Sequence, residues 1–214
     1  MEAVSEKRGK LVVLMGIDGS GKSTVAMMLK KLCIDNTLVT SCVHDARYRA
    51  ELRELEKRFN FRRRELLTFE FKQLLYIGSA VQSMMNDIDP YREKGINVIL
   101  DRYVMCIQVV TNVFAEKSFH CMIQMMDCLP KPDLGLYLDV DVCVAANRIE
   151  KRCKEATKEI NSRYENIDSL TKKKREYERL IRKADYPILR IDANQEVESV
   201  VEDIREVMKS IGIG

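Results

Sequence analysis

Five short apolar runs are spaced along the chain, and each is followed by a stretch with helical periodicity. The runs cover residues 11–15, 38–43, 96–100, 134–140 and 188–192. The run 11–15 is wholly apolar, which is typical of a strand that is buried on both faces of a parallel sheet, and the other four runs are candidate strands with some polar positions. The alternation of such strands with helices therefore predicts an α/β fold, in which a five-stranded parallel sheet is flanked by helices on both faces.

The segments between the strands carry apolar residues at intervals of three or four, as amphipathic helices do. Helices are predicted over residues 25–32, 74–85, 117–126, 142–160, 169–183 and 197–211, and a long charged stretch over 48–71 has irregular helical spacing. Neither a repeat nor a flexible linker interrupts this pattern. We therefore expect a single domain over residues 1–214.

Two polar segments stand outside the regular pattern. Residues 1–10 are charged and have no apolar signal-peptide core, so they are predicted to be a loose leader before the first strand. Residues from about 148 to 166 are rich in charge and poor in anchoring apolar side chains. This second segment, which we call the lid, is the best candidate for a mobile flap.

Composition and charge exclude several functional classes. The chain has 36 Lys and Arg against 33 Asp and Glu, a formal charge of +3 that is too balanced to attract nucleic acid or a membrane surface. The basic run 172–175 is interpreted as a solvated helix face because glutamates interleave with it. Seven cysteines without C-x-x-C spacing predict reduced thiols and a cytoplasmic protein. A zinc site is not expected at the two separated histidines.

A glycine-rich loop with the spacing G-x-x-x-x-G-K-[ST] follows the first predicted strand and precedes a helix. Such a loop turns its backbone N–H groups towards phosphate oxygens, at the positive end of the following helix. Lys22 would lie near the β- and γ-phosphates, and the Ser23 hydroxyl would bind Mg²⁺. The loop therefore predicts ATP binding and phosphoryl transfer. Seven of its residues are candidate ATP contacts: Gly16, Gly19, Ser20, Gly21, Lys22, Ser23 and Thr24.

Two carboxylates and one arginine are candidates for the rest of the site. Asp18 opposes anion binding inside the loop, so it either faces a sugar hydroxyl of a second substrate or hydrogen-bonds its own backbone in a turn. Asp101 and Arg102 end the third strand, at the edge where sites of open α/β sheets lie. Asp101 is expected near Ser23 as a Mg²⁺ ligand, and Arg102 would neutralise an acceptor phosphate. The alternative is a structural ion pair between Asp101 and Arg102.

The chain resembles the thymidylate kinase family in four motifs that occur in the family's order. They are the loop 16–24, Asp-Arg-Tyr at 101–103, Lys-Pro-Asp at 131–133 before the fourth strand, and Ile-Asp-Ala-Asn-Gln at 191–195. The resemblance covers residues 11–208, approximately. It implies a three-layer P-loop kinase fold with a short lid, and transfer of the γ-phosphoryl group of MgATP to a deoxynucleoside monophosphate. A homodimer through helices 74–85 and 117–126 is also implied.

The resemblance assigns roles to individual residues. Asp18 would contact the acceptor sugar, Arg47 and Arg102 the acceptor phosphate, and Tyr76 the base. The adenine of ATP would lie against Ala193, Asn194 and Gln195.

Base recognition is where the chain departs from the family. Ala80 stands where the family carries the arginine that reads thymine, and Val110 replaces an aromatic residue. The polar contacts that remain are Gln108 and Thr111, with Gln82 as a further donor. A larger, less polar pocket lined by Tyr76, Ala80, Val109 and Val110 is therefore expected, and the acceptor is predicted not to be simply dTMP. The alternative is a helix slip that hides an equivalent arginine.

In the family that the chain resembles, an arginine that assists catalysis comes either from the phosphate loop or from the lid, and because position 19 is a glycine the lid is expected to supply it here. Phosphoryl transfer spreads negative charge over equatorial oxygens, where cations contribute most of the catalysis. Arg148, Arg152 and Arg163 in the lid are the candidates, with Arg152 the first choice and Arg163 the second. A kinase for another small acceptor, or a nucleotide-dependent switch with little transfer activity, remains an alternative function.

Overall fold

Five parallel strands form the central sheet of the protein, as the sequence predicts. The computed structural model describes residues 8–42, 54, 57–59, 67–156 and 164–213. Within these residues the strands are β1 (Leu11–Met15), β2 (Thr37–Thr40), β3 (Asn97–Asp101), β4 (Leu134–Asp139) and β5 (Ile188–Asp192). Their order is β2-β3-β1-β4-β5, and every pairing is parallel. The first strand lies in the middle of the sheet, so the loop that follows it lies at the centre of the carboxyl edge.

Helices connect the strands and cover the sheet. They are α1 (Lys22–Lys31), α2 (Phe69–Ser83), α3 (Asp89–Glu93), α4 (Val104–Phe114), α5 (Val142–Glu155), α6 (Ile167–Ile181) and α7 (Val197–Ser210). A π-helical turn (Met84–Ile88) joins α2 to α3, and a 3₁₀ segment (Lys117–Met126) follows α4. Every residue of β1 is buried, as a central strand covered on both faces requires.

Several predicted boundaries shift in the structure. The second strand ends at Thr40 instead of residue 43, where its pairing with Leu100 of β3 ends, and the hydroxyl of the following Ser41 donates to the Asp101 carbonyl at 2.9 Å. Helix α1 begins at Lys22, three residues earlier than predicted, and α5 ends at Glu155. The charged stretch over 48–71 and the first seven residues lie largely or wholly outside the described residues.

A buried arginine ties the sheet together at the edge opposite the phosphate loop. Arg92 donates to the Gly9 carbonyl (3.0 Å) and to Asp133 (3.2 Å), and the same Asp133 oxygen accepts the Leu11 amide at 2.6 Å. Asp133, which belongs to one of the family motifs, therefore anchors the start of β1 within the fold.

Within the described ranges, each helix is too short or too polar to cross a lipid bilayer.

Candidate active site

The glycines of the phosphate loop have backbone geometry that other residues adopt only with strain. Gly16, Gly19 and Gly21 have φ values of 143°, 82° and 91°. A Cβ atom at Gly19 would lie 2.4 Å from the carbonyl oxygen of Ala145 in α5, whereas a Cβ at Gly21 would meet nothing within 4 Å. The loop is thus pressed against α5 on one side and open on the other, where an anion can approach.

The amino end of α1 is also available to an anion. Its N-cap is Gly21, no side chain caps it, and no acidic residue occupies its first turn. Lys30 and Lys31 lie in the last turn, where positive charge complements the helix dipole. Free backbone N–H groups at a positive helix end are a ready binding site for phosphate.

Lys22 is buried within the loop and holds its shape. Only 3% of the residue is exposed, and its ammonium donates to the Ile17 carbonyl (2.6 Å) and the Ser20 hydroxyl (3.0 Å). Burial, followed by the repulsion of Arg102, lowers the pKa of Lys22 to about 8, although Asp18 opposes the shift. A phosphate arriving at the loop would supply the counter-charge that restores full protonation.

Ser23 and Asp101 meet at the carboxyl edge of the sheet, as expected. The Ser23 hydroxyl donates to Oδ2 of Asp101 at 2.7 Å. The other carboxylate oxygen, Oδ1, is buried and has no hydrogen-bond partner among the described residues. A hydroxyl beside a carboxylate with an unused oxygen fits the hard oxygen ligands that Mg²⁺ takes.

Asp18 lies between two cations. Arg102 donates to its Oδ1 at 2.9 Å, and the ammonium of Lys173 in α6 donates to its Oδ2. Burial alone would raise the pKa of Asp18, but Arg102, Lys173 and Lys22 outweigh it and hold that pKa well below its usual range. Asp18 is therefore a fixed negative charge at the mouth of the phosphate loop.

Arg102 is positioned by an unusual backbone conformation. Its φ is 76°, in the left-handed region that residues other than glycine rarely adopt. Its amide donates to the Leu14 carbonyl in β1 at 3.3 Å, and its guanidinium reaches the phosphate loop. Strained conformations of this kind are concentrated at functional sites. The pairing of Arg102 is with Asp18, not with the adjacent Asp101.

Lys173 is the residue of this cluster that the sequence interpretation missed. The basic run 172–175 was expected to be solvated, yet Lys173 is only 2% exposed. Lys174 is also turned inwards and donates to the Val140 carbonyl at 2.8 Å. Lys172 does face solvent, where it pairs with Asp168. The signal was the helical spacing of Leu170 and Tyr177, which puts Lys173 on the same buried face.

Arg148 is fixed against the segment that the resemblance assigns to adenine. Its guanidinium donates to the carbonyls of Ala193 (2.7 Å) and Gln195 (3.2 Å). Asn194 is held in turn, because its side-chain oxygen accepts the Asp141 amide at 2.8 Å. These bonds form a rigid wall beside α5 at the carboxyl edge of the sheet.

Arg152 lies one helical turn beyond Arg148 and is much freer. Its side chain is 59% exposed, and it donates to Glu165 at 2.7 Å, at the far end of the lid. The other two predicted arginines, Arg47 and Arg163, lie outside the described residues.

The predicted acceptor residues are on α2 and α4, but they are more enclosed than expected. Ala80 and Val109 are fully buried in the hydrophobic core, whereas Tyr76 and Gln108 are partly buried. Ala80 itself therefore has no exposed surface in this structure. Thr111 is also fully buried, and its hydroxyl has no hydrogen-bond partner among the described residues.

An aromatic cluster lies at the end of α4. Phe69, Phe114 and Tyr164 pack with ring centroids 4.9 to 6.1 Å apart. The ammonium of Lys173 is 5.5 Å from the centre of the Phe114 ring. The cluster thus joins α2, α4 and the end of the lid next to Asp18.

Comparison with protein families gives a match that spans most of the chain. The sequence profile described as thymidylate kinase matches residues 14–204. Among curated relatives, a probable thymidylate kinase of Staphylothermus marinus is 27% identical over 208 residues, which cover 96% of this chain and 97% of that protein.

Solved structures share the fold at lower sequence identity. A thymidylate kinase from Candida albicans superposes with a TM-score of 0.67 and 21% identity, over 95% of this chain and 92% of that one. A deoxyadenosine kinase from M. mycoides, solved with dCMP and dCDP, gives a TM-score of 0.66 and 19% identity, over 94% and 99%. Both are similar to this chain in the arrangement of sheet and helices.

Proposed function

The chain belongs to the thymidylate kinase family, and from that premise we propose how it carries out its reaction and which acceptors it takes. The activity is transfer of the γ-phosphoryl group of ATP to a nucleoside monophosphate, with a divalent metal. The observation that carries the proposal is the convergence of the phosphate loop, the Ser23–Asp101 pair and the Asp18–Arg102 pair at one edge of the sheet.

On the ATP side, we propose that the loop amides and the amino end of α1 bind the β- and γ-phosphates. Lys22 exchanges its bonds to Ile17 and Ser20 for bonds to phosphate oxygens. Ser23 and Asp101 are the ligands proposed for Mg²⁺, which when bound neutralises charge that develops on the transferred phosphoryl group. Arg148 and the 193–195 segment form the wall for adenine, a role supported by their mutual hydrogen bonds.

On the acceptor side, we propose that Asp18 accepts a hydrogen bond from a sugar hydroxyl and that Arg102 binds the acceptor phosphate. Arg47 shares the second role by resemblance. The acceptor phosphate itself is the nucleophile, so the protein needs no covalent intermediate. Positioning of the two substrates and neutralisation of charge are sufficient for a direct in-line transfer.

The base is proposed to be read by Gln108, and by Thr111 once acceptor binding uncovers its hydroxyl, with Tyr76 against the face of the base. The support is the buried hydroxyl of Thr111, which lacks a hydrogen-bond partner among the described residues. A site that makes one or two neutral hydrogen bonds discriminates between bases less than a bidentate arginine does. The relatives are named thymidylate kinases. Because Ala80 stands in place of the arginine that binds thymine in the family, we propose that this chain accepts other monophosphates as well as dTMP.

A panel of nucleoside monophosphates, assayed with MgATP, tests the acceptor range. We expect at least one acceptor other than dTMP to reach a kcat/KM within about tenfold of that for dTMP, because a neutral contact is worth only about 1 kcal/mol. Thr111→Val should lower kcat/KM for the best acceptor about tenfold without lowering thermal stability, since it removes an unpaired buried hydroxyl.

The panel has two contrary outcomes. Turnover of dTMP far above every other acceptor would show that an equivalent base reader exists elsewhere. ATP hydrolysis that is equally fast without any acceptor would favour the nucleotide-dependent switch.

We also propose a homodimer, formed through α2 and the 3₁₀ segment. Phe71, Leu74 and Met85 are 46%, 37% and 66% exposed, and they lie with the exposed Gly78 along one side of α2 and its π-helical extension. Met125 of the 3₁₀ segment is a further exposed apolar side chain, at 56% exposure. Apolar side chains concentrated on one surface are typical of a protein interface. The other methionines of these segments, Met84, Met122 and Met126, belong to the core.

Light scattering tests the dimer. The wild type should have twice the mass of one chain, and Gly78→Arg should shift it towards the monomer. The substitution leaves the fold intact, because a Cβ at Gly78 meets nothing within 4 Å. Leu32→Arg, which changes an equally exposed apolar residue on α1, should leave the mass unchanged. A monomeric wild type would contradict the proposal.

A cytoplasmic location is proposed for the protein. None of the seven cysteines, all of which the structure describes, forms a disulfide, and three of them are buried. Unpaired thiols are usual in a reducing compartment.

A further inference from the structure

A buried lysine on α6 lies beside Asp18 but has no assigned role in the proposed reaction. Lys173 is 2% exposed, although lysine is almost never fully buried without a partner. Its ammonium donates to Asp18 and to the Tyr164 carbonyl, the latter at 2.7 Å, and it lies over the Phe114 ring. These contacts connect the phosphate loop, the end of the lid and helix α4 at one atom.

Arg102 has two partners, Asp18 and the acceptor phosphate, that compete for its guanidinium. In this structure it neutralises Asp18, whereas in the proposed reaction it turns to the acceptor phosphate. When it does so, Asp18 loses one of its two direct cationic partners. A partly buried carboxylate without a counter-charge is costly and tends to take up a proton. A protonated or displaced Asp18 would no longer hold the acceptor hydroxyl in place.

We propose that Lys173 is a positioning residue, which keeps the Asp18 carboxylate oriented and charged while Arg102 is engaged with the acceptor phosphate. The role rests on the proposed function, in which Asp18 contacts the acceptor sugar. Lys173 meets the other carboxylate oxygen, Oδ2, so its bond does not depend on where Arg102 points. The Tyr164 carbonyl accepts a second hydrogen bond from the same ammonium.

A dependence on pH follows from this arrangement. The charged and titratable groups that face Asp18 are Arg102, Lys173, Lys22 and Tyr177. With Lys173 present, the pKa of Asp18 is far below its usual range, so Asp18 stays ionised in mildly acidic solution. Without Lys173, and with Arg102 partly occupied by the acceptor, burial raises the pKa of Asp18. Acceptor use should then fall as the pH decreases.

The test compares Lys173→Met, Lys173→Arg and the exposed neighbour Lys172→Met in steady-state assays with MgATP. Lys173→Met should lower kcat/KM for the acceptor by about tenfold to a hundredfold at about pH 5.5, and by less at about pH 8. Its KM for ATP should change by less than about threefold, because the bond lost lies on the acceptor side. Lys173→Arg should recover most of the loss, and Lys172→Met should behave as the wild type.

An acceptor without a sugar hydroxyl separates positioning from general damage. With 3′-deoxythymidine monophosphate in place of dTMP, or the matching pair for the best acceptor, Lys173→Met should cost less than about threefold, since Asp18 has nothing to hold. Equal losses with both acceptors, an unchanged pH profile, or equal losses in Lys173→Arg and Lys173→Met would overturn the proposal. Absence of any turnover by the wild type would instead overturn the proposed function.

Discussion

Lys22→Ala is expected to abolish phosphoryl transfer, lowering kcat by about 10³-fold or more while the fold persists. The ammonium of Lys22 is the cation that is carried inside the phosphate loop, and its present partners are an Ile17 carbonyl and the Ser20 hydroxyl. Both are neutral acceptors, which a triphosphate can replace. The substitution therefore removes charge from the developing transition state more than it removes contacts from the folded protein.

Three measurements check this expectation. Lys22→Met keeps most of the apolar stem of the side chain and should be as inactive as Lys22→Ala, which would assign the loss to the charge. Lys31→Ala, at the exposed end of the same helix, should keep wild-type kcat. Thermal unfolding should shift by only a few degrees in each variant. A kcat for Lys22→Met within about tenfold of wild type would contradict the assignment of the loop.

The strands could be predicted from the sequence because their signal is local. Each strand is a short and largely apolar run, and β5, although partly exposed, begins and ends where the sequence predicts. The predicted end of β2 is wrong for a reason that lies far away in the sequence. The hydroxyl of Ser41, just after the strand, donates to the carbonyl of Asp101. A contact across 60 residues leaves no trace in the local pattern.

The candidate site likewise contains one contact that the sequence predicts and one that it does not. Ser23 and Asp101 could be expected to meet, because both follow strands that end at one edge of a parallel sheet. The pairing of Asp18 with Lys173 spans 155 residues and depends on how α6 packs. A basic run by itself predicts that each of its lysines faces solvent. Only the apolar residues on the same helix face, Leu170 and Tyr177, indicate that Lys173 is buried.

The enclosure of Ala80 could not be foreseen either. Sequence comparison shows which side chain is shorter, but only packing decides whether the space becomes a pocket or is closed by the core. Ala80 is fully buried within the hydrophobic core. The buried hydroxyl of Thr111 is likewise visible only in three dimensions, since threonine in a helix commonly bonds its own backbone.

The loop cannot supply a second catalytic cation, and the structure gives the reason. Any side chain at position 19 would collide with the Ala145 carbonyl, and φ there is 82°. We therefore propose that an arginine of the lid meets the remaining transition-state charge. Arg148 is occupied by two carbonyls beside the proposed adenine wall, whereas Arg152 is exposed and donates to the Glu165 carboxylate. Arg152 is thus the freer of the two to turn towards the phosphates.

Arg152→Ala should lower kcat by about 10²- to 10³-fold while KM for either substrate changes by less than about threefold, because its charge is needed mainly in the transition state. Steady-state kinetics with MgATP and the best acceptor measure both constants. Lys154→Ala, an exposed cation on the same helix, is the matched control and should keep wild-type kcat. Arg163→Ala, assayed in parallel, is expected to cost less than Arg152→Ala. A kcat that is unchanged in Arg152→Ala but collapses in Arg163→Ala would move the catalytic charge to the second arginine, and unchanged values in both would show that the lid does not provide it.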